Sequence, residues 1–322
     1  MMVGHSLLAF AVLAVLARAA GAEPRRALVA GIVAAAFAAV PDADMAYALS
    51  GLLGAEFDGV FSVTTAFWSA STVVHRAMTH SLVVAPVAAL GFALVTVRGR
   101  YAREAAVAGG VVLAAMVWVA VDLHGLLGLV VVLAFASFGV TVALAVRALT
   151  DFDARTTFLL ALFGLASHPW GDLFTGDPPA MLWPLDATLF AERVALAPDP
   201  TLHLLGAFAL ELATVALAVL VVVHLGDFSP RVYRRSLAGV AYGGAVFFMP
   251  PPTLDVSYHF VFSILALGTV LAAPDLGRAR LLASVRRLSR QWDADRALSA
   301  VTTGLAAVGF ALLAYGILYV AG

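Results

Sequence analysis

Nine side chains of the kinds that bind metal ions are spaced along residues 5–172 of this chain at the ends of apolar runs: His5, Asp42, Asp44, His75, His80, Asp122, His124, His168 and Asp172. Imidazoles and carboxylates gathered at one membrane face are the raw material of a metal site. His168-Pro-Trp-Gly-Asp172 is an HxxxD pair, and on a helix positions i and i+4 share a face, so both groups can grip one ion. Pro169 and Gly171 suggest that the helix ends there, and a histidine simply hydrogen-bonded to an aspartate is the plainer alternative.

Pro41-Asp42-Ala43-Asp44 sets two carboxylates two residues apart. Such a pair can co-ligate metals, or Asp44 can cap a helix beginning at Met45. His75-Arg76-Ala77-Met78-Thr79-His80-Ser81 is the most specific string. Its two histidines, five apart, do not share a helical face, so they converge only if the backbone breaks between them. Thr79 or Ser81 can cap the helix that follows. The Arg76 guanidinium, beside metal-type ligands, suits a phosphate or carboxylate group of a substrate. Asp122-Leu-His124 reads as a polar turn first and a site second. His203 and His259 read as interfacial residues, and Glu211 as an intramembrane carboxylate facing the protein interior or a transport path.

The elements that must position these groups are membrane helices. The 322-residue chain is 62% hydrophobic and 12% charged, with a mean hydropathy of +0.98; soluble domains carry about twice that share of charge. The net charge of −1 offers no footprint for nucleic acid. The absence of cysteine excludes disulfides, thiol catalysis and Cys-ligated metals. Arg18 lies on the wrong side of the first apolar run for a signal peptide, so that run is expected to be retained.

Ten apolar helical segments are expected, at 4–20, 27–41, 79–97, 104–121, 125–146, 156–171, 202–225, 236–250, 258–273 and 297–320. The fold class is therefore all-α: a polytopic membrane helical bundle of about ten transmembrane helices. With ten spans, 17 of the 19 arginines fall on one side, leaving Arg76 and Arg193 on the other. The positive-inside rule then puts both termini and all nine candidate ligands on the extracytoplasmic side of the plasma membrane. The Pro-rich stretch 171–200 separates residues 1–190, with six helices, from residues 191–322, with four. The polar stretch 275–296 suits an amphipathic helix on the inner surface.

Taken in order, Gly4-His5, Pro41-Asp42-Ala43-Asp44, His75-Arg76-x-x-Thr79-His80-Ser81 and His168-x-x-x-Asp172-x-x-Thr175 with Leu182-Trp183-Pro184 resemble the LexA-binding, inner-membrane-associated metal-dependent hydrolase family. The resemblance covers roughly residues 1–190. That family is in turn distantly similar to the zinc-dependent phospholipase C and P1 nuclease group. The resemblance implies a metal-dependent hydrolase with His168 and Asp172 as ligands and His5, Asp42 and His80 completing the set; His75 is a further candidate. The phospholipase group's second HxxxE pair has no counterpart here, so one or two ions are expected rather than three. Zinc suits the donor set, with manganese the alternative. The expected substrate is a phosphoester of a lipid or another membrane-associated molecule. Asp44 (or Asp42, whichever is not a ligand) would take a proton from water, and Arg76 would hold the phosphate. Two other functions stay open: a membrane transporter using Glu211, and a non-catalytic membrane protein with a structural metal.

Overall fold

The computed structural model describes residues 3–54, 59, 62, 63, 66, 76–273 and 294–322. Among the described residues all regular structure is helical. The chain divides into two compact units, Met1–Val194 and Ala195–Gly322.

In the first unit, α1 (Gly4–Ala19) and α2 (Pro24–Ala38) form a hairpin. Gly21, at φ +91°, makes the turn, and Pro24 opens α2 where its missing N–H costs nothing. A 3-10 helix, Pro41–Gly54, follows α2, and a single 3-10 turn, Met78–His80, precedes α3 (Val84–Val95). The long helical stretch α4 (Ala102–Leu149) breaks at Gly125, whose φ of 61° and ψ of −141° are open to glycine alone. A methyl group on Gly128 would strike the Ala120 carbonyl, eight residues back. The chain therefore reverses at Gly125, and α4 is two antiparallel arms.

Helix α3 lies against both arms. Gly91 meets Leu113 and Gly109 of the first arm, and Phe92 covers Gly139 of the second. Phe37, Phe92 and Phe135 stack in sequence, with centroids 5.8 and 5.9 Å apart, to form the centre of the core. Helix α5 (Ala154–Asp172) starts at Asp153, whose carboxylate accepts from Thr156 N–H at 2.8 Å. Its Gly164 sits so close to α2 that a methyl group there would strike Ala34 O and lie 2.8 Å from Ala38 N.

The two ends of this unit differ in chemistry. At one end Arg98 donates to the carbonyls of Arg147 (2.5 Å), Thr150 (2.8 Å) and Phe152 (2.8 Å). Arg26 pairs there with Asp151 at 2.9 Å. At the other end lie the start of α1, the end of α2, the start of α3 and the end of α5, which carry the candidate ligands.

The second unit holds α6 (Pro200–Gly226), a 3-10 helix (Arg234–Phe247), α7 (Tyr258–Ala272) and α8 (Ala294–Ala321). Its core is aromatic: Phe260 meets Tyr315 edge-on at 4.9 Å, and Tyr242 OH bonds to Ser263 Oγ at 2.6 Å. Asp199 caps α6 through Leu202 N–H at 2.8 Å and accepts from Tyr319 OH.

The expectation of about ten transmembrane helices is not carried by these lengths. Among the described residues, four helical stretches are long and apolar enough to cross a bilayer: Pro24–Met45, Ala102–Leu149, Pro200–Gly226 and Ala294–Ala321. Helices α1, α3 and α7 have 16, 12 and 15 residues. At 1.5 Å per residue they reach about 24, 18 and 22 Å, short of a hydrocarbon core of about 30 Å. Apolar runs marked the helical segments correctly, but hydropathy alone overstates how many cross. The segment expected at 275–296 lies almost wholly outside the described residues.

Candidate metal centre

Four short pieces of chain deliver the site. His5 stands in the first turn of α1, and Asp42 and Asp44 stand in the first turn of the 3-10 helix after α2. His80 ends the 3-10 turn before α3. His168 and Asp172 occupy the last turn of α5, which continues through Pro169, so the i, i+4 pair shares one face as its spacing predicts. Ser81 accepts from the N–H groups of Val83 (3.1 Å) and Val84 (3.2 Å) and opens α3.

The donor atoms converge. His168 Nε2 is 3.0 Å from His80 Nε2, 3.5 Å from Asp172 Oδ2 and 3.5 Å from Asp42 Oδ1. His80 Nε2 is 3.2 Å from Asp172 Oδ2. His5 Nε2 is 3.0 Å from Asp42 Oδ2. The buried residues are His5, Asp44, His80, His168 and Asp172, whereas the Asp42 side chain is 31% exposed.

Neighbouring groups decide which ring nitrogens carry protons. His168 Nδ1 is 2.6 Å from the Ala38 carbonyl oxygen, which can only accept. The proton therefore sits on Nδ1, and Nε2 presents a lone pair. Thr79 Oγ1 donates to Asp44 Oδ2 at 2.8 Å. Its single proton is thereby spent, so at 2.9 Å it accepts from His80 Nδ1. His80 Nε2 likewise presents a lone pair. With both rings neutral, two lone pairs stand 3.0 Å apart beside a carboxylate oxygen, and a proton or a metal cation between them relieves the repulsion.

The spacing suits one. Donors about 2.0–2.1 Å from a tetrahedral ion stand about 3.4 Å from one another, and the separations here run from 3.0 to 3.5 Å. Charge points the same way. Asp42, Asp44 and Asp172 are three carboxylates, and Arg76 Nη2, 3.6 Å from Asp172 Oδ1, is the guanidinium facing them. Three carboxylates facing one guanidinium is a donor set that favours a cation. Two overlapping triads meet the geometric demands of a metal, His80/His168/Asp172 and His5/Asp42/His168. The His168 lone pair can serve only one ion, so the two triads describe one centre.

Arg76 and Asp44, the expected catalytic pair, each bond to groups outside the two triads. Arg76 sits at φ +73° and commits its guanidinium to the chain after α5. Nη1 donates to the carbonyls of Thr175 and Asp177, the latter at 2.7 Å, and Nη2 donates to Thr175 Oγ1 at 3.3 Å. The fork expected to hold a substrate phosphate bonds here to the chain after α5. Asp44, expected to exchange a proton with water, is buried behind His80 against Thr79. His75 lies outside the described residues. Asp122 and His124 sit at the tip of the α4 hairpin, where His124 lies over Trp183 at 6.1 Å, and neither belongs to either triad. His203 and His259 belong to the second unit, as does Glu211, half-buried in α6.

Thr79 and the Ala38 carbonyl are the participants that residue types alone did not reveal. Thr79 was a cap candidate by sequence, adjacent to His80, and that adjacency was the available signal. A backbone carbonyl carries no sequence signal at all.

An all-helical membrane unit with a buried imidazole–carboxylate cluster at one end is the class that fold and site define together. The family model described as YdjM inner membrane protein matches residues 1–229, so the chain belongs to that family and resides in the inner membrane. The match runs past the first unit and through α6. Neither the curated proteins nor the solved structures contain a match.

Proposed function

We propose that this chain is a membrane-embedded, metal-dependent hydrolase acting on a phosphoester of a lipid or another membrane-associated substrate. The observation that carries the metal is the convergence of His80 Nε2, His168 Nε2 and Asp172 Oδ2, which lie 3.0 to 3.5 Å from one another. His80, His168 and Asp172 are the ligands in this reading. Three protein ligands plus an open fourth position is the pattern of a catalytic zinc site, whereas a structural site is closed. Zinc fits two imidazoles and a carboxylate, with manganese as alternative.

A bound divalent ion supplies a water acidic enough to be deprotonated near neutral pH. The chain's own residues do the rest. Asp42 borders the triad, with Oδ1 3.5 Å from His168 Nε2, and is the one exposed carboxylate of the cluster. It is the group that accepts a proton from an entering water, and His5, 3.0 Å from its other oxygen, holds it in place. Asp44 and Arg76 act from behind, one through Thr79 and the other on the end of α5. The four-helix unit that follows contributes no residue to either triad. Arg26, Arg98 and Arg147 gather at the end of the first unit away from the site, which supports an extracytoplasmic site.

A structural metal is the second reading, favoured by the near-complete burial of the three ligands. The test is Asp42→Asn in zinc-loaded protein presented with phosphoesters in detergent or bilayers. A hydrolase keeps its zinc and loses turnover by about 100-fold or more, in the range for a lost acid–base group. No turnover by the wild-type, zinc-loaded protein on any membrane phosphoester would leave the structural reading standing.

A further inference from the structure

We propose that Thr79 is a positioning residue whose hydroxyl, held by Asp44, fixes the tautomer of His80 and so sets the affinity of the metal centre. The inference rests on the ligand assignment above. A metal-binding histidine must present a lone pair, and the group bonded to its other nitrogen decides whether it does. For His168 a backbone carbonyl does this work, which no side-chain substitution can remove. For His80 the equivalent partner is a side chain.

The geometry excludes the direct connection. Asp44 Oδ2 is 3.6 Å from His80 Nδ1, too long for a hydrogen bond. The Thr79 hydroxyl spans the gap, 2.8 Å from the carboxylate and 2.9 Å from the ring. A freely turning hydroxyl can offer its proton to Nδ1, leaving Nε2 protonated and unable to bind. Asp44 prevents that by accepting the proton. Its side chain is buried, and as the acceptor of the hydroxyl proton it polarises the hydroxyl oxygen toward Nδ1–H. Thr79 is itself buried, and its branched Cβ restricts rotation about χ1. The order Asp44–Thr79–His80 thus works as a one-way latch on a proton, built from two residues adjacent in sequence and one 35 positions away.

The test uses the full chain in detergent. Zinc affinity is measured by competition with a chromophoric chelator for wild type, Thr79→Ser and Thr79→Val. The ring nitrogens are read by ¹⁵N-histidine spectra of the metal-free protein, with His80→Gln assigning the signal. Thr79→Ser keeps the hydroxyl and should bind within about threefold of wild type. Thr79→Val keeps the shape, loses the hydroxyl and should bind about 10–100-fold more weakly, the usual cost of a lost outer partner. Wild-type His80 should carry its proton on Nδ1. A Thr79→Val chain that binds zinc as tightly as wild type would overturn the latch, as would a wild-type His80 protonated on Nε2. The spectrum needs no variant to fold. If wild type binds neither zinc nor manganese, the metal reading falls, while the tautomer still judges the latch by itself.

Discussion

At the scale of single residues, the site is governed by what stands behind each ligand. His168 is held by the Ala38 carbonyl, His80 by Thr79, and Asp172 by Arg76. Arg76→Ala should release the Thr175 and Asp177 carbonyls, loosen Asp172 and weaken metal binding. Arg76→Lys should recover only part of the loss, because an ammonium cannot reproduce the fork. Zinc competition checks both; equal affinity in Arg76→Ala and wild type would return the guanidinium to a substrate role. The HxxxD pair was legible because helical periodicity alone puts its members on one face. The roles of Asp44 and Arg76 were not legible. Their partners, Thr79 and the carbonyls of residues 175 and 177, lie 35 to about 100 positions away and are chosen by the path of the backbone. Side-chain type narrowed Arg76 to an anion or carbonyl partner but could not say which.

At the scale of elements, α5 carries the site and two features fix it. Gly164 allows α2 close enough for Ala38 to reach His168. Gly164→Ala should push the two helices apart at a cost of about 1–3 kcal/mol, and zinc affinity should fall with it even though residue 164 touches no ligand. Unchanged affinity would show that the Ala38 contact survives the shift. At the other end, Asp153 caps α5, and Asp153→Ala should cost about 1 kcal/mol, read as a lower melting temperature. The hydrogen bonds from Thr156 depress the Asp153 pKa, so this contribution is present above the unfolded value and is lost as pH falls through the folded one. The difference in melting temperature between wild type and Asp153→Ala should therefore shrink in acid; a difference that grew would contradict the cap. Helix positions were legible from apolar runs. The 3-10 character of Pro41–Gly54 and Arg234–Phe247 was not, because 3-10 and α-helices share nearly the same propensities and differ in how neighbours pull the backbone tight.

At the scale of the whole molecule, the end of the first unit that holds the site is separate from the end where Arg26, Arg98 and Arg147 gather. The all-helical class and the membrane were plain from composition. The number of crossings was not, since a run of apolar residues says that a helix is buried but not whether lipid or protein buries it. Orientation is directly testable because the chain has no native cysteine. Leu123→Cys lies at the α4 hairpin tip, on the site end, and Tyr101→Cys lies near Arg98; both positions are exposed. A membrane-impermeant thiol reagent on intact cells should label Leu123→Cys and spare Tyr101→Cys. The reverse pattern would put the site in the cytoplasm.

The central claim is that His80, His168 and Asp172 hold a divalent cation, and it is met most directly by elemental mass spectrometry. Protein purified in detergent without chelator, and then reloaded with zinc or manganese, should carry one ion per chain. His168→Ala, treated in the same way and shown to remain helical, should carry none. An ion-free wild type after reloading, or a His168→Ala chain that retains its ion, would contradict the assignment.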